Sequence, residues 1–355
     1  MLTGTIRAAV ATLIAAGAFQ SITGPGPAAA TTVNVAVSGR DFAPFCMVNR
    51  IARHTSLPQI SGKYGVQTED VTMPIPQIPV TVSNGSLPIG ECTGISTAFN
   101  AWNKGAKKLM IFAFGSRLPV FQLIASRDIK SLQDVRGKII GVQGIQTAGA
   151  EAVEMILKRG AGMVPDRDYK FITIGANSAV MAALRAGKID VVPFYPPFTY
   201  ELEKRGFAIL ADEVKYVPQY VTGAQIANRD WVEKNQDTFV KMLKALIEAG
   251  QWLRNPANEK EVVGWFGEHM ASGTPERLDA VSAQRAYDFY VKEDRLSFDG
   301  YAPQSAVQAT LDILKERGFI TEAEIPPLGK VIDFSYLNLA RKELGLEPVA
   351  EYARN

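Results

Sequence analysis

The chain is short of the residues that hydrolytic and metal-dependent chemistry draws on. Its 355 residues contain two histidines, His54 and His269, and two cysteines, Cys46 and Cys92. It has no HExxH pair, no Cys-x-x-Cys and no Walker-type loop, so neither a metal site nor nucleotide hydrolysis is expected. Ser96 stands in Gly94-Ile95-Ser96-Thr97-Ala98, which lacks the second glycine of a nucleophile elbow. No cofactor and no enzymatic activity are expected. An excess of charge of one sign is also missing, since 38 Lys and Arg face 36 Asp and Glu. With no basic stripe interleaved with aromatics, nucleic acid is not expected as a partner. Any preference for anions must then come from local geometry rather than a global field. Beyond the first 30 residues no apolar run approaches the ~20 residues that a membrane span needs.

The first 30 residues read as an export signal. Arg7 is their one charge, Ala8 to Phe19 is an apolar core, and Ala28-Ala29-Ala30 is a small-residue site. Cleavage after Ala30 would leave 325 residues, enough for two domains, with a formal charge of +1 once Arg7 is gone. In an oxidising compartment Cys46 and Cys92 can pair. Two cysteines alone fix no geometry, so the pairing stays open.

The most informative stretch runs from Ser131 to Pro197. Ser131–Lys138 is a polar turn of helix stopped by Gly137, and Ile139-Ile140-Gly141-Val142 is an apolar run without helical period, as for a strand covered on both faces. Gln143 to Gly149 is a small-residue loop opening a helix, Ala150–Arg159, that Gly160 should stop. Ser178–Gly187 is a second capped helix, followed by the strand Ile189–Pro193 and the loop Phe194-Tyr195-Pro196-Pro197. A strand feeding a helix through such a loop aims several unpaired N–H groups at one point, where the helix dipole favours an anion. An ordinary βα turn that binds nothing has the same local pattern.

In this order of segments, "SLQDVRGKIIGVQGIQTAGAE" followed by "NSAVMAALRAGKIDVVPFYPP", the chain resembles the periplasmic solute-binding proteins of ABC importers, in the nitrate/taurine/aliphatic-sulfonate branch. The resemblance covers roughly Val33 to Leu253 and rests on D-x-x-G-K-x-I-G-V, on A-L-x-A-G-x-I-D and on the proline after the last strand. It implies an α/β, two-lobed periplasmic-binding-protein (type II) fold, each lobe a mostly parallel sheet flanked by helices, joined by a two-strand hinge. It also implies a monomer in the periplasm that gives a small organic anion to an ABC permease. The chain departs from the usual Gly-Ser or Gly-Thr step at Gly144-Ile145-Gln146-Thr147, which bears on the ligand class. A pyrimidine-precursor binder, a related-fold enzyme of pyrimidine synthesis and a ligand-sensing domain are the alternatives. The enzyme would need a cysteine-rich iron motif, which is absent here.

On that pattern lobe I is 31–124 with 222–355, and lobe II is the insertion 125–221. Val33–Val37 is the first strand, and the loop Ser38 to Phe45 after it falls at a carboxyl strand end, where α/β sheets bind ligands. Gly39, Arg40 and Phe42 are candidates there, although Arg40 reads equally as a solvated arginine and Phe42 as a packing residue. Thr93, Gly94 and Ser96 repeat the small-residue helix start of Gln146, Thr147 and Ala148. The resemblance, not the spacing, sets these two starts against each other across a cleft, with Tyr195 and Pro196 as one wall. Phe42, Phe114, Tyr195 and Tyr220 near expected cleft edges favour a ligand with an apolar body. Farther on, Phe239, Met242, Leu243, Leu246, Ile247 and Leu253 mark the core face of a long helix. Pro326 to Asn355 is expected to wrap the first domain.

Overall fold

The computed structural model describes residues 31–37, 46–54, 60, 62–175, 177–270 and 278–353. The expected export signal and the loop holding Gly39, Arg40 and Phe42 lie outside them. Ten strands are described: β1 Thr31–Val37, β2 Val66–Thr72, β3 Ile89–Thr93, β4 Leu109–Ala113, β5 Gln122–Ala125, β6 Ile139–Val142, β7 Lys170–Thr173, β8 Val191–Phe194, β9 Ala208–Asp212 and β10 Ala224–Asn228. They form two five-stranded sheets, in the orders β2-β1-β3-β10-β4 and β7-β6-β8-β5-β9. In the first, β1 runs parallel to β2 and β3 while β10 is antiparallel to β3 and β4. The second repeats the design, with β6 parallel to β7 and β8, and β5 antiparallel to β8 and β9.

The local sequence separates the covered edge of the first sheet, β4, from its exposed edge, β2. Every residue of β4, Leu109-Met110-Ile111-Phe112-Ala113, is buried, as suits a strand covered by helices on both faces. The edge strand β2, Val66-Gln67-Thr68-Glu69-Asp70-Val71-Thr72, is polar and partly exposed, which discourages pairing with another chain. Over the first sheet lies the helix Gln236–Arg254, whose Phe239 meets Phe112 edge-on with centroids 5.0 Å apart. Its Gly250 rests directly on the Phe298 carbonyl, an approach that a Cβ would block. The C-terminal segment returns to this lobe: Ile332 bridges to Ile111, and Tyr336 of the helix Ser335–Glu343 packs on Phe239. Trp265 is buried core.

Three details differ from the sequence reading. The helix after β6 spans Ala148–Ala161 and ends at Gly162, in the left-handed conformation with φ 66°, rather than at Gly160. Gly160 stays helical because it packs under Leu132 and Tyr216, where a Cβ would come within 2.7 Å of both. The polar turn after Ser131 is a three-residue 3-10 turn, Gln133–Val135. A helix, Phe198–Lys204, and the edge strand β9 follow the Pro196-Pro197 loop, so β8 is not the last strand of its sheet.

The chain crosses between the sheets before β5 and again after β9, and both crossings are tied to a third segment near residue 295. Gly115 N–H donates to Thr222 O (3.2 Å) and Gly223 O (3.0 Å), and Arg117 N–H donates to Arg295 O (3.1 Å). Ser297 N–H donates back to Gly115 O at 3.0 Å. No described helix is long and apolar enough to cross a membrane.

Candidate functional site

The helix starts singled out in the sequence are present at the carboxyl ends of β3 and β6. Gly94 is the N-cap of the helix Ile95–Asn103, and no side chain caps it. Its first-turn N–H groups therefore lack the usual local acceptor. Half-buried Ser96 lies in that turn, whereas Thr93 is fully buried and donates its hydroxyl to Ala224 O (3.2 Å). The start at β6 is built differently. Thr147 is the N-cap, with its Oγ1 accepting from Ala150 N–H at 3.5 Å and donating to Gly144 O at 2.7 Å. Gln146 is exposed, and Thr147 and Ala148 are half-buried.

Around the second start, Gln143 and Asn177, neither of them named as site residues from the sequence, join Tyr195, which was, in a relay. Gln143, the residue after β6, donates its Nε2 to Asn177 Oδ1, and Asn177 Nδ2 donates to the Tyr195 hydroxyl at 3.0 Å. They come from the ends of β6 and β8 and from the first turn of the helix Asn177–Arg185. For Gln143 the available signal was its position at a strand end, as for Tyr195, because side chains there project beyond the sheet, whereas Asn177 is placed by a helix start. The Tyr195 ring is buried edge-on against Phe121, Phe194 and Phe198, which fixes its hydroxyl in place. The Pro196-Pro197 peptide is cis, and the Pro196 carbonyl accepts from the Tyr290 hydroxyl at 2.6 Å.

Two aromatics assigned to the cleft edge belong elsewhere. Phe114 is buried against Phe334, with centroids 6.3 Å apart. Tyr220 is buried with its hydroxyl on Glu151, among the groups behind the helix Ala148–Ala161. Phe114 joins the first lobe's apolar core, and Tyr220 packs with Met155, Val217 and Ile313. Burial raises the Glu151 pKa although Arg317 and Tyr220 oppose it, so this acid is part of the interior rather than a surface anion.

Cys46 and Cys92 are disulfide-bonded, with Cα atoms 5.9 Å apart, which ties the start of the helix Met47–His54 to β3. Among the described residues no group of His, Cys, Asp and Glu converges as a metal site. A partly open cavity of about 30 Å³ is lined by Asn49, Arg53, Glu91, Phe112 and Leu246. That volume suits a water molecule or two, not an organic solute.

Two mixed sheets, each with helix starts at the carboxyl ends of its central strands, define a periplasmic-binding-protein architecture. Residues 93–259 match the family described as NMT1/THI5 like. An ABC transporter periplasmic binding protein of Brachyspira hyodysenteriae is 24% identical over 161 residues, 44% of this chain and 44% of that one. The periplasmic sulfonate-binding protein SsuA of Methylobacillus flagellatus superposes with a TM-score of 0.63 at 19% identity, over 91% of this chain and 98% of that one. The nitrate-binding protein NrtA of Synechocystis PCC 6803 gives 0.65 at 14% identity, over 88% and 89%. This chain spans less than half the length of the curated relatives it matches. It has the fold of the periplasmic binding proteins of ABC import systems and carries an NMT1/THI5-like segment over residues 93–259.

Proposed function

We propose that the protein captures a small organic anion between two lobes, 31–124 with 222–355 and 125–221, and delivers it to an ABC permease. The observation that carries this reading is the helix start at Thr147, set beside the Gln143–Asn177–Tyr195 relay. The helix offers backbone donors and the positive end of its dipole, and exposed Gln143 offers its side-chain amide to a second polar atom. The uncapped start at Gly94 supplies donors from the other lobe. Ligand bridging the two would draw the lobes together about the crossings near Gly115 and Thr222. In this reading Gly39, Arg40 and Phe42 are the first lobe's candidate ligand contacts and Tyr195 and Pro196 the second's. The closed form presents both lobe surfaces to the permease. No bond is made or broken. The chain works as a monomer in the periplasm after cleavage near Ala30, consistent with its disulfide.

A thermal-shift screen over sulfonates, nitrate, carboxylates, aromatic acids and pyrimidines identifies the ligand class, and calorimetry then measures its affinity. Thr147→Asp puts a carboxylate at the helix start and should weaken binding of an acidic ligand by about tenfold or more. Unchanged affinity in that variant would overturn the placement of the site.

A further inference from the structure

The two loops that shape the second sheet's half of this site are held by side chains from much later in the chain. Tyr290, fully buried, donates its hydroxyl to Pro196 O at 2.6 Å across 94 residues of sequence. Arg317, whose side chain is 1% exposed, donates its Nη2 to Ile145 O at 3.1 Å across 172 residues. The Arg317 guanidinium is fixed in turn by Glu154, at 2.9 Å from Nε and 2.7 Å from Nη2, and by Glu151, 3.1 Å from Nη1. Neither donor lies in the second sheet or its helices. Tyr290 sits in the π-helical turn Asp288–Lys292, and Arg317 follows the helix Gln304–Glu316.

Apolar burial cannot hold the loop after β6, because its Ile145 side chain is 50% exposed. The Thr147 hydroxyl makes local ties alone, to Gly144 O and Ala150 N–H. Gln143 ties the start of the loop to Asn177, and the grip on the Ile145 carbonyl ties its middle to the segment after the helix Gln304–Glu316. At the other loop a buried tyrosine hydroxyl needs an acceptor, and the Pro196 carbonyl provides it. Further contacts seat both donors against the second lobe. Lys204 Nζ donates to Ser282 Oγ at 2.7 Å, Arg285 pairs with Glu203 at 2.7 Å, and Lys158 pairs with Glu316 at 2.7 Å.

We propose that Tyr290 and Arg317 are positioning residues that set the Gln143–Thr147 and Phe194–Pro197 loops from outside the lobe that carries them. This rests on the reading that those loops line the ligand site. The second lobe's binding surface is then completed by residues 288–317, and changes there alter binding without touching ligand.

Hydrogen exchange by mass spectrometry on the full exported chain tests this in Tyr290→Phe, Arg317→Lys and Arg317→Gln. Arg317→Gln should speed exchange over 145–151, and Tyr290→Phe over 195–201, each by about five- to tenfold, as for one lost hydrogen bond. Strands β1 and β6 should keep wild-type rates, and Arg317→Lys should restore part of the protection. If Arg317→Gln does not fold, Arg317→Lys and Tyr290→Phe decide the matter. Wild-type rates in both loops, or a uniform rise that includes β1 and β6, would overturn the proposal. Titration of the wild type with methanesulfonate probes the site reading separately, because the exchange pattern does not depend on a ligand.

Discussion

Arg295 and Asp212 form a two-point ion pair, Nη1 to Oδ1 at 2.9 Å and Nη2 to Oδ2 at 2.8 Å, joining the segment beyond residue 292 to the end of β9. The same guanidinium donates to Pro119 O at 2.9 Å and lies 3.7 Å over the Phe289 ring, so one buried side chain touches three segments at the crossing. Truncating it leaves Asp212 unpaired beside an interior. Arg295→Ala is expected to lower stability by about 3–5 kcal/mol in urea denaturation. Arg295→Lys should recover only part, since an ammonium cannot reproduce the planar fork. A loss below about 1 kcal/mol in the alanine variant would show that solvent reaches the pair and screens it.

Glu213 stands next to that pair and is 1% exposed, with Phe121 N–H donating to its Oε2 at 3.3 Å. Burial pushes its pKa up from 4.5 to about 8, against the lowering effect of that N–H. A carboxyl that holds its proton in the folded state and loses it in the unfolded chain makes stability fall as pH rises. The contribution is intact below about pH 4.5 and is lost progressively up to about pH 8. Glu213→Gln should therefore flatten the stability profile between pH 5 and 8, by on the order of a few kcal/mol. Parallel profiles for wild type and variant would count against a protonated Glu213.

The Cys46–Cys92 bond closes a loop of 46 residues. Replacing both cysteines by serine should cost about 2–4 kcal/mol, chiefly by freeing the unfolded chain. Dithiothreitol should lower the wild-type melting temperature toward that of the double variant and leave the double variant unmoved.

Gly250→Ala places a methyl group against the Phe298 carbonyl, which is backbone and cannot turn away. The expected loss is about 1–3 kcal/mol, measured by thermal unfolding, even though alanine is the better helix former. Gly264→Ala, on the neighbouring helix with open space around its Cα, is the control and should not destabilise.

Much of the architecture was legible because it is encoded over short distances. The unbroken apolar run at β6 announced a covered strand, and Phe239, Leu243, Leu246 and Leu253 announced the buried face of Gln236–Arg254. The cap at Thr147 was legible as well, since it needs only its own loop and the next turn. The edge strand β9 was not, because its burial is partial and its neighbour β5 lies far back in the chain.

Sequence by itself determined the strand β6, the helix start that follows it and the core face of Gln236–Arg254, because periodicity and capping act within a few residues, whereas the two-lobed plan came from the resemblance to a family. Only the tertiary structure decided that Gly160 stays helical, that Cys46 meets Cys92, and that Tyr220 joins the interior instead of the cleft. It alone brought Gln143, Asn177 and Tyr195 together and set Tyr290 on Pro196. Those contacts depend on which strands neighbour each other and on where the C-terminal helices return, and no local pattern carries that information.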